Sequence, residues 1–337
     1  MNWLALDIGG ANLKVADGKG FAESRFFAMW REAGRLSAEL RSLIAESPPC
    51  DHLAVTMTGE LADCYASKAE GVAAILDAVI EAADARHTRV YLGDGRLVTP
   101  QIARQQPKLA AAANWHALAR FCGRFAPRDT ALLIDIGSTT TDLVPLHDGR
   151  PTTNAASDTA RLLSGELVYT GVVRSPVAAV AQEAPYRGER CAIAQELFAT
   201  MLDVYLLLED IPEDSTNRHT ADRRPAVKSA AHLRLARMLC ADAEEFTHRD
   251  ALDFAQALAA AQEAAVTAAA GRVLARLPKP PETVILSGQG EFLARRVLSR
   301  LRFSGKAVSL GSELGAAASQ CAPAHALAVL AREASGV

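Results

Sequence analysis

Residues 132–146, LLIDIGSTTTDLVPL, constrain this chain more than any other stretch. The apolar run Leu132-Leu133-Ile134 leads into Asp135, a turn follows through Gly137-Ser138-Thr139-Thr140-Thr141, and Asp142 opens a second apolar run. The pattern predicts a β-hairpin whose tip carries a carboxylate, a glycine and hydroxyls. N–H groups exposed at such a turn bind phosphoryl oxygens, hydroxyls add donors, and a nearby carboxylate holds a divalent cation or its waters. Alone, the stretch reads equally well as an ordinary Ser/Thr-rich turn. A second copy tips the balance: Trp3-Leu4-Ala5-Leu6 runs into Asp7-Ile8-Gly9-Gly10-Ala11-Asn12, and Leu13-Lys14-Val15 returns.

Three further apolar strands empty into polar glycine turns: 53–57 into Thr58-Gly59-Glu60, 90–92 into Gly93-Asp94-Gly95-Arg96, and 283–286 into Ser287-Gly288-Gln289-Gly290. Open α/β sheets bind ligands at such strand ends. Between them, apolar spacing predicts helices over about 30–45, 68–85, 107–121, 190–210, 227–240 and 251–277, with a polar loop over 211–225. The plan of the first half restarts at Thr130, so the expected domains are 1–129 and 130–337, the second with a helical insertion over about 190–278.

A formal net charge of -3 and the lack of basic stretches with interleaved aromatics argue against nucleic-acid binding. The six cysteines form no C-x-x-C pair, which predicts reduced, mostly buried thiols rather than a zinc site. The alanine-rich stretch 254–270 is broken by Gln256, Gln262 and Glu263, so no membrane span is expected. With no signal-peptide pattern at the start, the expected location is the cytoplasm.

The turns at Asp7, Asp135 and Ser287 resemble, in order and type, the two phosphate loops and adenosine-type loop of the actin-like ATPase and sugar-kinase superfamily. That resemblance implies an α/β fold of two ribonuclease-H-like domains facing across a cleft, the second with extra helices. Within the superfamily, the segments LDIGGANLKVAD, VTMTGELADCY, YLGDGRLVTP, NWHALARF, LLIDIGSTTTDLVPL, GELVYTGVVRSPV and ELFATMLDVYLLL resemble the methanofuran-synthase-like group of the hydantoinase/oxoprolinase branch. This group is linked to tetrahydromethanopterin-dependent one-carbon transfer. The resemblance implies a transferase joining a (5-aminomethyl-furan-3-yl)methyl diphosphate to the phenol of a tyrosine- or tyramine-type acceptor, with release of pyrophosphate.

For that chemistry the donors around the leaving diphosphate matter most, because they stabilise charge as it develops. Gly9, Gly10, Asn12 and Lys14 on one side, and Gly137, Ser138, Thr139, Thr140, Thr141 and Asp142 on the other, are the expected holders, with Ser287, Gly288, Gln289 and Gly290 as a third loop. Asp7 and Asp135 are expected to share Mg²⁺, largely through water. A phenol with a reference pKa of about 10 needs a base. Glu60 is the first candidate, ahead of Asp94 and Glu166. Each has a plainer role: helix cap for Glu60, turn former for Asp94, and helix start for Glu166, which otherwise lies at the cleft wall and binds a ligand hydroxyl. Lys14 either reaches a phosphoryl oxygen or lies solvated on the hairpin's outer face.

The first loop departs from the wider hydantoinase branch, carrying Ala11-Asn12 where relatives have Thr-x-Thr, and Lys14 where the second hairpin keeps Asp142. This asymmetry favours a diphosphate held mainly by the second loop. The alternatives are an ATP-dependent kinase or lactam hydrolase and a catalytically silent nucleotide-binding protein; ATP or ADP is expected only under these alternatives to the transferase. The expected partners are small molecules, with self-assembly into a homo-oligomer left open.

Overall fold

The computed structural model describes residues 1–336. In the first half, β1 (Trp3–Ile8), β2 (Asn12–Ala16) and β3 (Ala22–Phe26) form an antiparallel meander. Next, β4 (His52–Met57) and β5 (His87–Tyr91) run parallel to β1, and β6 (Leu97–Val98) closes the edge, giving the order β3-β2-β1-β4-β5-β6. The second half repeats the plan. A hairpin of β7 (Thr130–Ile136) and β8 (Thr141–His147) is flanked by the short strands β9 (Arg150–Pro151) and β10 (Leu167–Val168). Beyond a separate hairpin of β11 (Glu183–Tyr186) and β12 (Glu189–Ala192), β13 (Thr283–Ser287) and β14 (Lys306–Ser309) add in parallel beside β7. Two sheets, each a hairpin followed by parallel strands, are the actin-like α/β architecture expected from the duplicated turns.

Strand alternation decides which residues meet the cleft. On β1, Leu4, Leu6 and Ile8 pack outward against the helices Leu36–Glu46 and Lys68–Ala83, while Trp3 and Ala5 face inward. On β7, Leu132, Ile134 and Ile136 face the helices of the second half, and Ala131 and Leu133 face inward. By the same parity Asp7 and Asp135 fall on the inner faces, each at the end of its strand.

The helices Asn114–Cys122 and Ala322–Ala334 fill the space between the sheets. Small residues let them approach closely: Ala5 and Ala54 on the first sheet meet Ala117, Ala328 and Ala331. The last helix therefore packs back against β1 although it ends the second half.

Some elements differ from expectation. Residues 190–210 are not one helix: Cys191 pairs with Ala184 in the β11–β12 hairpin, and a helix starts only at Met201, where Thr200 and Asp203 form a capping box. The 107–121 helix is broken by Ala112 at φ 47°, leaving Pro107–Ala110 and Asn114–Cys122. The six cysteines are free, but only Cys122 and Cys321 are buried. No helix among the described residues is long and apolar enough to cross a membrane.

The long helix His248–Leu274 reaches the second phosphate loop through one buried side chain. Gln262 accepts from the Tyr205 hydroxyl and donates to Thr170 Oγ1 at 2.7 Å and to the Gly171 carbonyl at 2.9 Å. Gln262→Leu would strand these buried partners, so a loss of about 1–3 kcal/mol in urea unfolding is expected. An unchanged midpoint would mean that water replaces the amide.

Candidate active site

The two hairpin tips face each other across a cleft of about 510 Å³. In the first, Asp7 pairs with Lys14 across the ladder; in the second, Asp135 pairs with Asp142 at the equivalent rung. Lys14 lines the cleft, which removes the outer-face alternative. The substitution of lysine for aspartate at one rung is the sequence asymmetry made spatial.

The second loop is built as an anion cradle. Its carbonyls are used internally: Gly137 O accepts from Val172 N, and Ser138 O from Val173 N and Arg174 N. Among the described residues, the N–H groups of Ser138, Thr139 and Thr140 donate to no protein acceptor. Gly10 and Ala11 offer a smaller counterpart, their carbonyls taken by Met29 and Phe27. The Asn114–Cys122 and Ala322–Ala334 helices begin at the cleft, where Asn114 and Pro323 line it, so two positive helix ends add to the field.

Burial pushes the Asp135 carboxyl up to about 6, reinforced by Asp142 and opposed by Lys14. Burial also raises Asp7 and Asp142; Lys14 opposes the shift at Asp7, and Arg161 opposes it at Asp142. Asp7 Oδ1 is buried without a partner, while Oδ2 receives only a long 3.5 Å bond from Asn114. An orphaned carboxylate oxygen beside Asp135 fits a magnesium ion that takes few protein ligands and keeps water and substrate oxygens. Among the described residues no three His, Cys, Asp or Glu side chains converge as a complete metal cage.

Glu60 lies in the turn after β4, is 1% exposed, and lines the same cleft. Burial raises its carboxyl to about 7, and Oε2 has no protein partner. It does not cap the following helix, because Ser67 accepts the Glu70 N–H there.

Asp94, Glu166, Thr141 and the third loop, Ser287 to Gly290, fall outside the cleft. Asp94 forms a surface turn, accepting the Arg96 N–H at 3.1 Å and its Nε at 2.8 Å, so its carboxylate is spent on the loop. Glu166 is buried behind the wall formed by Leu167, accepting from Thr153 and lying 3.7 Å from Arg276. The Thr141 hydroxyl turns inward to the Thr170 carbonyl at 2.8 Å, since alternation sends it opposite to Asp142. The third loop is chiefly packing: Ser287 is buried level with Asp135, and Gly290 N donates to Ile136 O. Gly288, at φ 86°, leaves no room for a Cβ against Ile136 O. With Gln289 it borders a small recess behind Lys14 and Ser138.

The structure also brings in residues that sequence reasoning missed. Arg161, 1% exposed, pairs with Asp142 at 2.8 Å beneath the Trp115 ring, 4.1 Å from its centroid. Arg161→Met would leave Asp142 buried and unpaired, at an expected cost of about 3–5 kcal/mol in chemical denaturation; a near-neutral effect would show that Asp142 folds protonated. Lys68 meets Asp158 across the cleft at 2.9 Å, and Arg174 lies over the Trp30 ring at 4.8 Å. Tyr169 and Arg174 sat in a segment singled out for its family resemblance, but only the fold shows where they point.

The hydantoinase/oxoprolinase family model matches residues 51–333. A curated relative from Methanocaldococcus jannaschii, (4-{4-[2-(gamma-L-glutamylamino)ethyl]phenoxymethyl}furan-2-yl)methanamine synthase, is 35% identical over 76% of this chain and 76% of its own. A protein of the same name from Methanococcus vannielii is 26% identical over 59% of this chain and 89% of its own. Among solved structures, component A of (R)-2-hydroxyglutaryl-CoA dehydratase from Acidaminococcus fermentans aligns over 100% of both chains at 12% identity, with a TM-score of 0.48.

Proposed function

Because this chain belongs to the hydantoinase/oxoprolinase family and, within it, to the methanofuran-related synthases, we propose that its cleft joins a furan-methyl diphosphate to a phenol as an aryl ether. The reaction class is an alkyl transfer with pyrophosphate as leaving group, in methanofuran-type cofactor biosynthesis. The relatives' name describes such an ether, a phenoxymethyl group on a furan that also carries methanamine. The observation that carries the proposal is the joint placement of Glu60, a carboxylate held near pH 7, and the unclaimed N–H groups of Ser138, Thr139 and Thr140 in one chamber.

In the step itself, the phenol proton passes to Glu60 and the phenolic oxygen forms a bond to the furan-bearing methylene carbon. The bond from that carbon to the diphosphate breaks, and its electron pair leaves with pyrophosphate. The furan ring stabilises positive charge on the carbon, while the 138–140 N–H groups and the two helix ends receive negative charge on the leaving group. Lys14 adds a point charge between the hairpins. Asp7 and Asp135 would hold Mg²⁺, which supplies neutralising charge to the diphosphate when bound.

Oxygen labelling tests the bond that breaks. With ¹⁸O in the carbon-to-phosphorus bridge of the diphosphate, the label should appear entirely in pyrophosphate, one per ether formed. Phosphorylated phenol, or ADP formed from ATP in place of pyrophosphate, would transfer the site to kinase chemistry.

A further inference from the structure

Lys68 and Asp158 join the two halves of the chain next to Glu60. Lys68 opens the helix Lys68–Ala83, capped by Ser67, and Asp158 opens the helix Asp158–Ser164, capped by Ser157. The first turn of the Lys68 helix packs on Glu60 itself, since a Cβ on Gly71 would lie 2.7 Å from the Glu60 Cα. Residues three apart share a helix face, so Lys68 stands on the face that Gly71 turns to Glu60. Across the cleft, Asp158 shares a face with Arg161 in the same way, and both line the chamber that holds Glu60.

The ammonium and the carboxylate meet at 2.9 Å with side chains 39% and 21% exposed, so water still reaches the pair. Such a pair adds little to stability. Its charges act more strongly on a neighbour that water does not screen, and Glu60 is that neighbour: it is 1% exposed, and among the described residues its Oε2 has no protein partner. Burial raises the Glu60 carboxyl, its own N–H and then Lys68 oppose the rise, Asp158 reinforces it, and the Ala112 N–H opposes it. The two members of one ion pair thus push the base in opposite directions. The other charges lining the chamber are Asp7 and Lys14 from the first hairpin, Asp135 and Asp142 from the second, Arg161 and Arg174 beyond it, and Asp63 in the loop of Glu60 itself. They form a background that changes at Lys68 or Asp158 leave in place.

We propose that Lys68 and Asp158 are positioning residues for the base: Lys68 keeps Glu60 ionised for the phenol proton, and Asp158 holds the ammonium across the cleft so that it does not pair with Glu60 and quench it. This rests on the ether-forming reading above and adds to it the groups that set the state of its base. One member comes from each half, so the setting depends on both halves being in place.

The test titrates Glu60 by infrared spectroscopy in the wild type, Lys68→Met and Asp158→Asn, its carboxyl band identified by its loss in Glu60→Gln. The same three proteins give the pH profile of kcat/KM for a tyrosine- or tyramine-type acceptor, with pyrophosphate release as readout and melting temperature as folding control. Without Lys68 both midpoints should move up by about 0.5–1 pH unit, less than a fully desolvated neighbour gives because the pair is part-exposed. Without Asp158 both should move down by a similar margin, and kcat should fall, since a base tied to Lys68 takes a proton less readily. A merely structural clasp would give the same change in both variants, because each breaks the same bond. Midpoints that stay put, or move the same way, in either measurement overturn the assignment while leaving the ether-forming reading intact. A wild type that releases no pyrophosphate with any such acceptor overturns that reading and this assignment together.

Discussion

Replacing Glu60 with glutamine should lower kcat for ether formation by about 10²- to 10⁴-fold, the usual contribution of a positioned base. The carboxylate is held near the operating pH by burial, which disfavours its charged form and so makes it a better proton acceptor once ionised. The sign follows from the role. Below about pH 7 the Glu60 carboxyl is protonated and cannot take the phenol proton, so kcat/KM for the acceptor should rise with pH through about 7 and then level. Asp135, raised to about 6, adds a second and lower step wherever its negative charge is needed for the cation. Glu60→Gln should erase the upper step and leave the lower one. If the variant kept both the wild-type rate and the rise near pH 7, the base would have to be sought elsewhere.

The second large effect is steric. A Cβ on Gly171 would lie 2.5 Å from both Gly137 O and Thr139 N, inside the contact limit of backbone atoms that have nowhere to go. Those atoms belong to the loop whose N–H groups face the cleft, and Gly171 is itself pinned by Gln262 and by Ser175, whose hydroxyl accepts its N–H at 2.8 Å. Gly171→Ala should therefore push the cradle out of register. A misplacement of about 1 Å costs on the order of 100-fold in turnover, while crowding costs about 1–3 kcal/mol in stability. The expected signature is a folded protein with a modestly lower melting temperature and a large loss in kcat. Wild-type turnover in this variant would mean that the 137–141 loop adjusts freely and does not hold the leaving group.

Much of this was legible in the chain because the relevant physics is local. Two strands ending in aspartate and glycine declare the hairpins, and period-two alternation places Asp7 and Asp135 on inner faces. The same alternation already assigned Thr141 and Asp142 to opposite sides, a consequence that the hydroxyl-rich look of the turn obscured. Asp94 failed because Gly-Asp-Gly reads alike whether the carboxylate serves a ligand or its own backbone. Glu166 failed because only the tertiary fold sets Leu167 between it and the cleft. Arg161 and Arg174 carry no local signal, since their roles come from Trp115 and Trp30, dozens of residues away in sequence.

In the proposed reaction a kinase-like pair of hairpins holds a leaving diphosphate, chiefly on its second loop. A crystal structure with Mg²⁺ and pyrophosphate tests this most directly. Pyrophosphate oxygens should accept from the N–H groups of Ser138, Thr139 and Thr140, with the metal between the diphosphate and Asp7 and Asp135. Pyrophosphate bound away from residues 137–141 would contradict it.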